Sequence, residues 1–251
     1  MNRRRTVASL TGLFVIGLSL NIASAESVGM PAPDEDSAAA FPNQKHFSPY
    51  AGRNFPTQVY WGDTHLHTGM SFDAGSFGAR LLPVDAYRFA RGEEVTSSTG
   101  LQVKLSKPLD FLVVADHSDN MGWFPELFDG NPQMLANPTV KRWYDMVQQG
   151  GQTGVAAAIE IIEAFSQGTF PMETASMPGT PTYSSAWKTA IDAAEQYNDP
   201  GKFTAFIGYE WTSNAGGDNL HRVVVYRDGG QKASMMEPYT TLEPVGSPDP
   251  R

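Results

Sequence analysis

The 251-residue chain contains no cysteine, only five histidines, and fewer basic than acidic residues, 18 against 27. Without cysteine it has neither a lipoprotein anchor nor a disulfide framework. The acidic balance disfavours nucleic-acid binding, because such binding relies on Lys and Arg to neutralise phosphates. The composition of the whole chain, 41% hydrophobic and 18% charged, is that of an ordinary globular protein.

The amino terminus has the pattern of an export signal. Arg3–Arg5 form a basic segment, an apolar stretch runs from about 7 to 22, and Ala23–Ala25 supplies the small-x-small cleavage pattern. The apolar stretch is shorter than the about 20 residues that span a membrane. We predict a signal peptide over residues 1–25, no stable membrane anchor, and a periplasmic or secreted protein; an uncleaved anchor is the alternative.

The remaining chain divides into three parts by composition. Residues 26–56, which include His46, are rich in Pro, Ala, Asp and Ser without apolar periodicity, and are expected to form a flexible leader. Residues 57–228 carry the patterns of regular structure. Residues 229–251 are polar and Pro-rich, and are expected to form an irregular tail.

Strand and helix patterns alternate within 57–228. Strands are predicted at about 58–64, 108–117, 202–210 and 221–227, and helices at 83–92, 139–149, 154–166 and 184–197. This alternation predicts an α/β fold of parallel strands with flanking helices. Residues 57–228 are too few for a closed barrel, which typically takes about 250 residues. Four strands would also leave hydrogen-bonding edges exposed. We expect the N-terminal part of a larger, truncated unit, with a small complete open sheet as the alternative.

Histidines and one glutamate fall at the ends of these strands. In parallel α/β folds the C-terminal strand ends meet at one edge, where sites are built from separate loops. Imidazole and carboxylate are metal ligands. Each residue alone has an ordinary explanation, such as a helix cap or a salt bridge, but together they predict a metal site formed by His65, His67, His117 and Glu210, while His221 opens the fourth strand.

Three of these segments resemble motifs of the PHP (polymerase and histidinol phosphatase) metallohydrolases. Gly62–Thr68, with Ser71 and Asp73 following, is similar to their first motif; Ala115–Asp119 resembles the second and Gly208–Glu210 the third.

A longer similarity points to one bacterial PHP-like family, known only as a domain of unknown function (DUF3604). It includes Asp85–Gly92 and Pro108–Phe111, and runs from about Tyr60 to the end of the chain.

The resemblance implies an incomplete PHP-type (β/α) barrel holding two or three divalent ions (Zn, Mn or Fe). Such a centre hydrolyses phosphoesters with a metal-activated hydroxide, and the substrate would be a phosphorylated small molecule. His65 and His67 would bind one metal, Glu210 would bridge two, and His117 and His221 would complete other positions. The family's last motif, an Asp and a His, has no counterpart in this sequence, so we expect the centre to be incomplete.

Other polar residues have expected roles around these ligands. Asp116, or alternatively Asp63, would orient a metal-bound imidazole, and we name Asp116 with Glu210 as catalytic. Asp73 lies where many PHP proteins place another histidine. Arg80 and Arg222 are candidates for clamping substrate oxygens.

Two other functions fit parts of the pattern. Amidohydrolase-type enzymes also begin with His-x-His on their first strand and hydrolyse amides or lactones. They often add a lysine at a later strand end, and no strand end here offers one. A non-catalytic binding module or inactive fragment is the second alternative, favoured by the missing last motif.

Overall fold

A computed structural model describes residues 58–213 and 219–242; the expected signal peptide, the leader and His46 lie outside the described residues. The strands are β1 (Gly62–Leu66), β2 (Val95–Thr96), β3 (Gln102–Val103), β4 (Phe111–Val114), β5 (Thr204–Phe206), β6 (Gly208–Ser213) and β7 (Leu220–Val225). The α-helices are α1 (Phe72–Ser76), α2 (Pro83–Ala90), α3 (Trp123–Phe128), α4 (Pro132–Leu135), α5 (Pro138–Gln149), α6 (Gly151–Ser166), α7 (Pro181–Tyr197) and α8 (Gly230–Ala233).

A three-stranded parallel sheet in the order β1-β4-β5 positions the site. Its central strand, β4, consists of one aromatic and three aliphatic residues, and Leu112, Val113 and Val114 are buried. This is the apolar pattern expected of a strand covered on both faces. β1 approaches β4 so closely that a Cβ on Gly62 would lie 2.3 Å from the Phe111 carbonyl oxygen. Glycine at position 62 therefore permits the close approach.

The strand predicted over 202–210 is two strands, β5 and β6, separated at Ile207. β6 pairs with β7 in antiparallel register, with Thr212 opposite His221. The expectation that the fourth strand is parallel is wrong, because a parallel crossover takes a dozen or more residues and the connection from Ser213 to Leu220 is much shorter. Within the described residues the sheets do not close into a barrel.

The predicted helices form, and their N-termini show why. α5 begins after Asn137, whose side chain accepts hydrogen bonds from two backbone N–H groups of the first turn. α7 begins after Thr180, whose hydroxyl accepts from the N–H of Tyr183. In both helices proline occupies the first position, where its missing N–H costs nothing. The sequence pattern located both helices to within a few residues.

Two apolar cores hold these elements together. In the first, α2 and α7 pack against the parallel sheet, and Tyr87 donates a hydrogen bond to the Phe206 carbonyl at 2.9 Å. The second core lies among α1 and α3–α6, with Trp123, Trp143 and Phe170 at its centre. The first core supports the strands that carry the site, and the second supports the loop segments beside it.

The segment expected to be an irregular tail starts with the short helix α8. Trp187 donates from its indole nitrogen to the carbonyls of Ala233, at 3.2 Å, and Met236, at 3.0 Å. The described part of this segment is therefore docked on α7. Over 58–213 and 219–242, no helix has both the length and the apolar character needed to cross a membrane.

Candidate metal centre

The site lies at the C-terminal edge of the parallel sheet, where four segments of the chain meet. β1 ends between His65 and His67, and His117 follows β4. Glu210 and His221 lie on the two strands of the β6–β7 hairpin. Parallel strands bring their carboxyl ends to one edge, and the hairpin joins that edge through a parallel bridge between His117 and Glu210. The structure therefore brings all five predicted ligands together.

The fully buried carboxylate of Glu210 is the centre of the cluster. Its Oε2 lies 2.8 Å from His65 Nε2, 2.7 Å from His67 Nε2 and 3.6 Å from His117 Nε2. Its Oε1 lies 2.5 Å from His221 Nδ1. One carboxylate is thus surrounded by four imidazoles from two strand ends and a hairpin.

Asp73, on α1, is a sixth member of the cluster. Its two carboxylate oxygens lie 3.0 and 3.1 Å from His67 Nδ1, and one lies 3.6 Å from His117 Nε2. Ser71, which is fully buried, donates to Asp73 at 2.6 Å and accepts from the His117 backbone N–H at 3.0 Å. α1 therefore brings a carboxylate to the position where the PHP resemblance predicts a histidine.

The six side chains form three overlapping groups, in each of which the ligand atoms lie within 4.8 Å of one another. The groups are His65, His67 and Glu210; His67, Asp73 and His117; and His117, Glu210 and His221. Shared members link the groups, so that one cation would lie close to the next. Each group offers enough ligand atoms for one cation.

The cluster favours ionised carboxylates. Burial by itself would raise the pKa of Glu210, but its hydrogen bond with His65 and the nearby His117 hold that pKa below its usual range. Burial likewise opposes ionisation of Asp73, yet the neighbouring His117 and the hydrogen bonds with His67 and Ser71 lower its pKa. The pKa of His67 is raised, since Asp73 outweighs the effect of burial. Negative charge is therefore kept beside the imidazoles.

One contact tests whether a cation fits. His67 Nε2 is buried and lies 2.7 Å from Glu210 Oε2, but no hydrogen bond of acceptable geometry satisfies this nitrogen. A buried nitrogen without a partner is costly. A cation that accepts one lone pair from His67 Nε2 and one from Glu210 Oε2 would remove that cost. Imidazole nitrogens with carboxylate oxygens suit Zn, Fe and Mn. The residues present fit a divalent metal.

Asp116 and Asp63 support the backbone around the ligands. The buried carboxylate of Asp116 accepts from Thr68, through its backbone N–H at 2.5 Å and its hydroxyl at 2.7 Å. Burial raises the pKa of Asp116 to about 6, against the effect of those two hydrogen bonds. Asp63 accepts from the backbone N–H of His65 at 2.8 Å. Both carboxylates thus fix the segment that carries His65 and His67, whereas the sequence predicted a contact with an imidazole ring.

The two arginines proposed as substrate clamps are engaged elsewhere. Arg222 pairs with Trp211 across the hairpin, and its guanidinium lies 4.7 Å from the centre of the indole. Because side chains alternate along a strand, this pair is on the face opposite Glu210. Arg80 lies over the Phe128 ring, 3.3 Å from its centre, and donates to the backbone carbonyls of Gly75 and Ala79.

Thr212 is the site residue that the sequence did not indicate. It is buried, and its hydroxyl lies 3.0 Å from His117 Nδ1 and 3.2 Å from His221 Nδ1. A signal was available, because Thr212 lies two positions after Glu210, and residues at that spacing on a strand share a face.

The described chain is a mixed α/β protein with a cluster of histidines and carboxylates, suited to divalent cations, at the edge of its parallel sheet. Residues 54–250 match the family described as Protein of unknown function (DUF3604), and the chain belongs to that family. Comparison with curated proteins and with solved structures gave no match. The DUF3604 part of the resemblance is confirmed.

Proposed function

We propose that this protein is a metal-dependent hydrolase of the PHP type, acting on phosphoesters of small molecules. The observation that supports this most directly is the buried Glu210 carboxylate with four imidazoles around it. A purely structural role would not require so many ligand groups around one carboxylate.

The overlap of the three ligand groups supports chemistry with more than one cation. Glu210 belongs to two groups, and His67 and His117 each also belong to two. Bound divalent cations would supply an acidified water and neutralise charge developing on the substrate's oxygens. The chain's own contribution is to hold the cations close together with fixed, oriented ligands.

Each residue has a defined task in this proposal. Glu210 would be shared by neighbouring cations, because its Oε2 faces His65 and His67 while its Oε1 faces His221. Asp73 adds a second negative ligand beside His67. Asp116 keeps the backbone at Thr68 in place, which fixes the position of the preceding His67.

Turnover by the full chain, reconstituted separately with Zn²⁺, Mn²⁺ and Fe²⁺, tests the proposal. The probes are p-nitrophenyl phosphate, bis(p-nitrophenyl) phosphate, an activated amide and a lactone. We expect phosphoester hydrolysis that chelation abolishes. His67→Ala and Glu210→Gln should each lower phosphoester hydrolysis by at least about 100-fold. Removing only the hydrogen-bond partner of a metal ligand costs up to about 100-fold, and removing the ligand itself should cost at least as much. The exposed Glu163→Gln on α6 is the matched control and should keep full activity.

The same assay separates the alternatives. Hydrolysis of the amide or lactone without phosphoester turnover would indicate an amidohydrolase-type enzyme. A chain that binds metal but turns over none of the four probes would indicate a binding module. Either result would overturn the phosphoesterase proposal.

A further inference from the structure

The hydroxyl of Thr212 lies between two imidazoles of the metal centre. Thr212 is the direct cross-strand partner of His221 in the β6–β7 hairpin. Opposite residues of an antiparallel pair have neighbouring side chains on one face. The parallel bridge between His117 and Glu210 brings the third residue to this face. The hydroxyl is therefore within hydrogen-bonding distance of Nδ1 of both His117 and His221.

The two nitrogens of His117 have different surroundings. Nδ1 faces Thr212 at 3.0 Å, whereas Nε2 faces the carboxylates of Asp73 and Glu210, each at 3.6 Å. A neutral imidazole has one N–H and one lone pair, and the hydrogen bond made by one nitrogen decides which of the two is free to bind a metal. A hydroxyl oxygen has two lone pairs, so Thr212 can accept a hydrogen bond from His117 Nδ1–H.

We propose that Thr212 is a positioning residue that accepts a hydrogen bond from His117 Nδ1–H and so directs the Nε2 lone pair towards the carboxylates of Asp73 and Glu210, where a cation would bind. The inference rests on the proposed function for its cation. It adds a residue outside the three ligand groups, and assigns one ring nitrogen of His117 to the metal. The same hydroxyl lies 3.2 Å from His221 Nδ1.

Replacing the hydroxyl by a methyl group tests this role. Thr212→Val keeps the β-branched shape that suits a strand but leaves His117 Nδ1–H without its acceptor. Thr212→Ser keeps the hydroxyl. Thr204→Val, on half-buried Thr204 of β5, is the matched control for the same chemical change away from the cluster.

Zinc affinity is measured by calorimetric titration of the metal-free full chain. We expect Thr212→Val to weaken zinc binding by about 10- to 100-fold, the usual loss when the partner of a ligating histidine is removed. Thr212→Ser and Thr204→Val should bind zinc like the wild type. Thr212→Ala serves as a second variant without the hydroxyl if Thr212→Val does not fold.

Ring-nitrogen NMR of the zinc-saturated protein gives a readout independent of turnover. In the wild type and in Thr212→Ser, His117 should be protonated at Nδ1, with that proton hydrogen-bonded. Zinc binding by Thr212→Val as tight as that of the wild type, or a wild-type His117 protonated at Nε2, would overturn the inference. Failure of the proposed function is a separate result, namely a zinc-bound wild type that hydrolyses no phosphoester.

Discussion

Glu210 is hydrogen-bonded through its backbone to both neighbours of His117. Its N–H donates to the Asp116 carbonyl at 2.9 Å, and its carbonyl accepts from the Ser118 N–H at 2.8 Å. This pair of bonds extends the parallel pairing beyond β4 and sets the Glu210 carboxylate beside the His117 ring. Backbone hydrogen bonding thus sets two proposed ligands from segments far apart in sequence beside each other.

Asp73 should bind one of the cations. It belongs to a single ligand group, whereas Glu210 belongs to the other two. We expect Asp73→Asn to lose about one equivalent of bound metal, since an amide oxygen is a weaker ligand than a carboxylate, and to retain the rest. Metal analysis after dialysis measures this, with the exposed Asp145→Asn as control. Full metal content in Asp73→Asn would remove Asp73 from the site.

Thr68 should stabilise the fold through Asp116. Both residues are buried, and the Thr68 hydroxyl donates to the carboxylate at 2.7 Å. Loss of a buried hydrogen bond to a charged group costs about 1.5–3 kcal/mol, so Thr68→Val should lower the free energy of unfolding by that amount. Urea unfolding measures the change against Thr204→Val. Equal stability of the two variants would contradict a stabilising role for this hydrogen bond.

Two glycine-to-alanine substitutions should have opposite effects. An alanine at Gly62 would place its Cβ 2.3 Å from the Phe111 carbonyl oxygen, and would force β1 away from β4. Such overpacking costs about 1–3 kcal/mol.

Gly154, within α6, has its nearest neighbouring atoms 3.9 Å from the added Cβ. Alanine there should increase the free energy of unfolding by about 0.5–1 kcal/mol, because it favours the helix. Urea unfolding of both variants checks the contrast, and a harmless Gly62→Ala would show that β1 does not need this close approach.

Export should remove the amino-terminal segment. The basic residues, the apolar stretch and Ala23–Ala25 predict cleavage after Ala25. Mass spectrometry of the protein recovered from the periplasm of a Gram-negative host should find Glu26 as its first residue. Ala25→Leu should block processing, since a large side chain does not suit the cleavage position. A periplasmic chain that retains residues 1–25 would contradict the signal-peptide prediction.

The sequence predicted the central strand, the longer helices and the five residues that meet in the cluster, because these depend on local patterns. The apolar run of β4 and the capped starts of α5 and α7 are readable within a few residues. The histidines could be grouped because strand ends of a parallel sheet converge. Neither inference required knowledge of distant contacts.

What the sequence did not predict depends on pairing across the chain. The apolar pattern of β7 fits a parallel or an antiparallel strand, and only its pairing with β6 decides between them. The same pairing places Thr212 beside His221 and turns Arg222 away from the cluster. The place of Asp73 in the cluster was difficult to predict for another reason. Asp73 reaches the site from the short helix α1 and not from a strand end.

The central claim is that Glu210 and the surrounding imidazoles share bound cations. Its most direct test is the amount of Zn, Mn or Fe bound per chain in the purified full-length wild type and in Glu210→Gln, with Glu163→Gln as control. We predict at least about two tightly bound ions in the wild type and in the control, as the overlapping ligand groups allow, with a clear loss in Glu210→Gln. No bound metal in the wild type, or the same content in Glu210→Gln, would contradict the claim.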